Sequence, residues 1–153
     1  MINIGKKHTE EKLNPDKQEK YLFEEIKIIQ DIIKRMAGNS FLIKGWTLTL
    51  VVGALLLKGS MYQALIAFIP AILFWFLDAY FLRQERLYRK LYEWVVNNRL
   101  KTSDYIFDMN AYRFDNKVPN IFRIMTSITL LIFYISIIIS IIVFFVLSIN
   151  IIK

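Results

Sequence analysis

The sequence predicts an all-α integral membrane protein with three transmembrane helices, an N-terminal amphipathic helix and a cytoplasmic extension of the second transmembrane helix. Three observations predict it. Apolar residues make up 56% of the 153-residue chain, above the roughly 45–50% of a soluble domain. They are segregated: residues 41–82 and 124–152 are almost free of charge, while residues 1–40 and 83–123 carry nearly all of it. The apolar blocks are also long enough to cross a hydrocarbon core of about 30 Å, which needs about 20 helical residues.

Each element follows from local pattern. Residues 1–40 form an N-terminal segment, polar at first. Asn14-Pro15-Asp16 reads as a helix start, because proline is tolerated in the first turn and asparagine caps it. From Tyr21 to Met36, Leu22, Ile26, Ile29 and Ile33 recur on one face, the mark of an amphipathic helix. Gly38-Asn39-Ser40 is then expected to interrupt it, with Ser40 capping the next helix. Residues 41–57 form the first expected span, with Lys44 its one charge. Lys58-Gly59-Ser60 makes a tight turn, so the second span, residues 61–82, returns antiparallel beside the first. It carries Pro70, expected to kink it, and one charge, Asp78. No breaker follows Leu82, so the helix should run on to about residue 100 as a cytoplasmic stalk. The segment 83–120 is completed by a connecting loop. Residues 124–152, 29 residues without charge, form the third expected span. The block is longer than a bilayer requires and should tilt or protrude.

Orientation follows from the cations. Residues 1–40 hold eight Lys and Arg and residues 83–123 hold nine, against only Lys58 and Lys153 on the other side. The positive-inside rule places the N-terminus and the 83–123 segment in the cytoplasm. No cleavable signal peptide is visible, since the first 40 residues contain no short apolar run.

Composition excludes much chemistry. With no cysteine there is no disulfide, thiolate nucleophile or zinc-thiolate site. The single histidine, His8, has no convergent partner, and no phosphate loop or nucleophile elbow is present. Asp104, Asp108 and Asp115 are too irregularly spaced for an oxygen-ligand metal site. No enzyme activity, metal or cofactor is expected. The net charge of +7 reads as topology and attraction to anionic lipid, with no direct nucleic-acid binding expected.

Three constellations stand out. Lys44 and Asp78 lie at the same shallow depth on antiparallel neighbours. They make either a structural ion pair, with Lys44 snorkelling, or a charged ring at a pore mouth. In the last span, Thr126, Thr129, Ser136, Ser140 and Ser148 fall within an arc of about 120° at 100° per residue, together with Phe133 and Phe144. Such a stripe is either hydroxyl glue between helices or a weakly polar pore lining with aromatic constrictions. Arg83, Arg86, Arg89 and Lys90 form a basic cluster that reads first as an anchor to anionic lipid and second as a surface for an acidic partner or nucleic acid, the positive-inside rule already explaining the charges.

The stretches from Gly38 to Trp46 (GNSFLIKGW) and from Phe74 to Tyr92 (FWFLDAYFLRQERLYRKLY), about a third of the chain, resemble a family of small bacterial membrane proteins of antiphage defence operons. The likeness is closest to the membrane effector of Hailong-type systems. The resemblance implies an oligomeric ion channel of the bacterial inner membrane, such as a homotetramer. It implies a partner, a cytoplasmic nucleotidyltransferase-like protein or its nucleotide product, that holds the channel silent until infection releases it. The membrane then depolarises and the cell stops growing or dies. Two rival expectations remain open: a non-conducting membrane anchor for a soluble enzyme, and a small transporter or lipid-binding accessory subunit.

Overall fold

The computed structural model describes residues 14–56 and 63–152. His8, the expected turn Lys58-Gly59-Ser60 and Lys153 lie outside the described residues, as do the adjoining span ends Leu57 and Met61. Among the described residues the chain is entirely helical and loop, with no strand. In chain order it comprises α1 (Pro15–Leu56), α2 (Gln63–Asn98), a 3₁₀ helix (Ala111–Lys117), α3 (Ile121–Met125) and α4 (Ile128–Ile152). Three of these, α1, α2 and α4, are long and apolar enough to cross a membrane.

The first departure from expectation is α1. It runs unbroken for 42 residues, about 63 Å at 1.5 Å per residue, through Gly38-Asn39-Ser40. The amphipathic helix and the first span are therefore one element, and Ser40 caps nothing. The reason lies in the inward face. Ile29, Ile33, Met36, Ser40, Ile43, Thr47, Val51 and Ala54 recur every three or four residues without a break, and all are buried or half-buried. That continuous seam outweighs the roughly 1 kcal/mol that a helical glycine costs.

Helix α2 is the central element. It lies against α1 and also receives the 3₁₀ helix, α3 and α4. It stays helical through Pro70 and extends as a stalk to Asn98, as its pattern predicts. Beyond it, the stretch expected to be a simple loop contains the 3₁₀ helix, capped by the Asn110 side chain. The third apolar block also differs from expectation. Its first turn belongs to α3, a break falls at Thr126-Ser127, and α4 starts only at Ile128. The Asn120 side chain caps α3 by accepting from the Arg123 amide, and the Thr126 hydroxyl donates back to the Arg123 carbonyl. These local bonds close a short turn before the apolar run of α4 begins.

The core has two parts of different character. One joins Ile29, Leu87, Leu91, Val95, Phe114 and Ile124, under a surface rich in charge. The other is built from small or branched residues, Val51, Ala54, Ala67, Ala71, Ile137 and Ile141. Alanines there let helices approach closely, as in lipid-embedded packing. Around this second core the outer surface is apolar: Phe41, Leu48, Ile69, Leu73, Ile132 and Ile139 are all exposed. Only 22% of each apolar window is buried. The molecule thus has a charged half and an apolar-surfaced half, stacked along one antiparallel hairpin.

Candidate functional site

The two halves meet at Asp78. Its side chain is 0% exposed, on the face of α2 turned toward α1 and α4. Lys44 reaches it from α1, with Nζ 2.6 Å from Oδ2. Ser40, one turn earlier, donates to Oδ1 and accepts from Lys44 Nζ at 2.9 Å. The seam of α1 explains both positions, because residues four apart share a helix face. From α4, the Tyr134 hydroxyl lies 3.2 Å from Oδ2 and 3.1 Å from the Phe74 carbonyl. The Tyr134 ring stacks on Trp75, with centroids 5.5 Å apart and planes 9° from parallel. The Trp75 indole N–H in turn donates to the Met125 carbonyl at 3.1 Å. One carboxylate therefore joins all three long helices and the α3–α4 corner.

The pairing of Lys44 with Asp78 is the one predicted from sequence. Ser40, Trp75 and Tyr134 were not singled out as partners. For Ser40 the signal was available, since it stands four residues before Lys44. For Tyr134 it was not, because the rotation of α4 about its axis is set by packing alone. Asp78 faces helices of its own chain, and Lys44, 26% exposed, is the member that reaches the surface. The second face of Lys44 is apolar, with Nζ 6.0 Å from the centre of the Phe133 ring.

The structure divides the hydroxyl stripe of α4. Thr129, Ser136 and Ser140 are exposed, Phe144 lies at the margin of exposure, and Ser148 is half-buried. Phe133 is drawn inward and packs against both cores. Thr126 lies in the break before α4, outside the stripe's helix. The hydroxyls of Ser136, Ser140 and Ser148 donate to backbone carbonyls of their own helix, at 2.7, 2.8 and 2.9 Å. They are thus satisfied without a partner helix.

The basic cluster is not an open cationic face. Arg83 binds Asp115 at 2.6 Å and the Pro119 carbonyl at 3.2 Å. Arg89 pairs with Glu85 and Lys90 with Glu93, each at 2.7 Å. Arg86 has no carboxylate partner among the described residues. The loop aspartates are spread over separate tasks: Asp115 holds Arg83, Asp108 accepts from the Asn110 amide, and the Asp104 carbonyl accepts from Arg99. No group of three or more metal-ligating side chains occurs among the described residues.

A second buried charge pair escaped sequence reasoning. Glu25 of α1 and Arg99, just past α2, are both 1% exposed and form a bidentate contact. Arg99 also donates to the carbonyls of Asp104 and Tyr105, while Glu25 accepts from the Phe107 amide. The pair thereby folds the chain after α2, where Tyr105 and Phe107 take left-handed φ values of 57° and 54°. Beside it, the Arg113 guanidinium lies 4.2 Å from the centre of the Tyr105 ring and 4.9 Å from that of Trp94. Nothing in local spacing links residues 74 positions apart.

No family model, curated protein or solved structure matches the chain. Function therefore rests on the chemistry of the site. What the Asp78 network can do is lock the relative positions of three helices, and release them if the charge balance changes.

Proposed function

We propose that the chain is a multi-pass protein of the bacterial inner membrane. In this reading the apolar parts of α1 and α2, together with α4, span the bilayer, and the charged half lies in the cytoplasm. The support is the contrast between the two surfaces. Large apolar side chains exposed around one half would be costly in water at about 25 cal/mol per Å². In lipid they are solvated. The two charges inside that half, Lys44 and Asp78, are paired with each other.

Copies of the chain then assemble into a regulated ion channel that depolarises the membrane on infection, as an antiphage effector would. The observation that carries this reading is the exposure of Thr129, Ser136 and Ser140 on the protomer. They are polar positions among large exposed residues of α4 that are otherwise apolar, and packing within one chain leaves them uncovered. Three thin helices enclose no pore alone, so conduction requires several copies around an axis, with the stripe turned inward. The cytoplasmic half, with its own core and the Glu25–Arg99 clamp, is the surface for a nucleotidyltransferase-like partner or its nucleotide product to grip. The purified protein in liposomes should pass ions. Its expression alone should depolarise cells, and co-expression of that partner should silence it. Intact membrane potential under both conditions, with tight liposomes, overturns the channel.

The second reading is a non-conducting anchor for a soluble enzyme. It is favoured by the backbone satisfaction of the α4 hydroxyls, which lets them face lipid without penalty. A stable partner complex in silent bilayers distinguishes it.

A further inference from the structure

Helix α3 is five residues long and one-sided. Ile124 is fully buried and Ile121 half-buried, whereas Phe122 is 69% exposed and Arg123 is exposed beside it. A surface turn of this size needs no fixing, yet it is held from both ends. Arg83 donates to the Pro119 carbonyl just before it, and the Trp75 indole donates to the Met125 carbonyl at its end. What these bonds hold in place is an aromatic ring next to a cation.

Its position gives the pair a meaning. Trp75 lies one turn before Asp78, where the apolar-surfaced half ends. Ile128, 77% exposed, starts the apolar face of α4 on the other side of α3. The turn therefore sits at the rim between the two surfaces. Charge distinguishes it as well. Arg83, Arg89 and Lys90 pair with carboxylates of the same chain, whereas Arg123, like Arg86, has no carboxylate partner among the described residues, and Arg123 alone of these two is exposed beside an exposed aromatic ring on α3.

We propose that Phe122 and Arg123 form an anchor for an anionic phospholipid of the cytoplasmic leaflet. The inference rests on the membrane-spanning reading above. The ring enters the headgroup layer, where aromatic side chains are favoured, and the guanidinium takes a phosphodiester through two parallel N–H donors. Lysine lacks that fork but keeps the charge, so it retains part of the affinity. The occupant is a bilayer lipid because the site is continuous with the apolar belt.

The chain has no cysteine, so Phe122→Cys, Ile28→Cys and Ile139→Cys can each carry a unique spin label in the full-length protein. In vesicles of phosphatidylcholine and phosphatidylglycerol, the label at 139 should be reached by oxygen, the label at 28 by an aqueous nickel complex, and the label at 122 at headgroup depth. A water-exposed label at 139 removes the spanning reading itself. A hydrocarbon-shielded label at 139 with a fully aqueous one at 122 removes only the anchor. In detergent, short-chain phosphatidylglycerol should bind the wild type saturably. Arg123→Gln should weaken that binding by about fivefold, the worth of one juxtamembrane cation, with Arg123→Lys in between. Equal binding by Arg123→Gln and wild type, or equal binding of short-chain phosphatidylcholine or inorganic phosphate, overturns the proposal.

Discussion

Asp78 shows how much one carboxylate can organise. Four groups from three helices converge on it, directly or through a neighbour: Lys44, Ser40, Tyr134 and, by stacking on Tyr134, Trp75. Removing one partner of a buried pair leaves the other charge uncompensated, at a cost of about 3–5 kcal/mol. Lys44→Met, which leaves the buried Asp78 carboxylate uncompensated, should therefore lower stability by that order in a detergent unfolding assay. Lys44→Met combined with Asp78→Leu should recover most of the loss, because two apolar groups leave no orphan charge. A double variant as unstable as the single one would mean that the carboxylate acts through Ser40 and Tyr134 instead. Arg99 makes a parallel case in the charged half. Arg99→Lys keeps the charge but cannot serve Glu25 and two loop carbonyls at once. Limited proteolysis should then cut faster within residues 100–110, with cutting elsewhere unchanged. The Lys44–Asp78 pair was legible in sequence because two apolar runs joined by a short connection are expected to pack antiparallel. The Glu25–Arg99 pair obeys the same antiparallel packing but was hidden, since many charges surround both residues and none is marked by its neighbours.

At the scale of elements, the decisive feature is the continuity of α1. Glycine, asparagine and serine in succession signal a break, and locally that signal is sound. It lost to an inward face that passes from Met36 to Ser40 and Ile43 without a break. A Cβ added at Gly38 would meet no other atom within 4 Å. Gly38→Ala should therefore stabilise the protein by up to about 1 kcal/mol, read as a higher Tm. A lower Tm would point to a contact at Gly38 with a second copy. The start of α4 was missed for the opposite reason: an uncharged run hides a change of direction. Asn120, Thr126 and Ser127 supply the polar atoms of that corner, and their order reads as a cap only once the end of α3 is known. Within α4, Ser136→Ala and Ser140→Ala should shift stability by no more than about 0.5 kcal/mol, because each hydroxyl serves only its own backbone. In liposomes, Ser140→Asp should change ion selectivity if the stripe lines a path.

For the whole molecule, the division into two surfaces governs behaviour. In the spanning reading the apolar-surfaced half needs lipid or detergent, while the charged half has a buried core of its own. Full-length protein should stay in the membrane pellet after alkaline carbonate extraction, and release into the supernatant would contradict the spanning reading. The sequence by itself determined the helical class, the three long apolar helices, the stalk on α2 and the level at which Lys44 meets Asp78. Each of these depends on composition, periodicity or a short connection, which are local quantities. Only the tertiary structure decided that α1 is one helix, that Tyr134 faces Asp78, that Arg99 folds the segment after α2, and that Arg83 pairs with Asp115. Those outcomes depend on which faces meet. A helix can be rotated about its axis with no change in local pattern, and the contacts of its neighbours alone select the rotation.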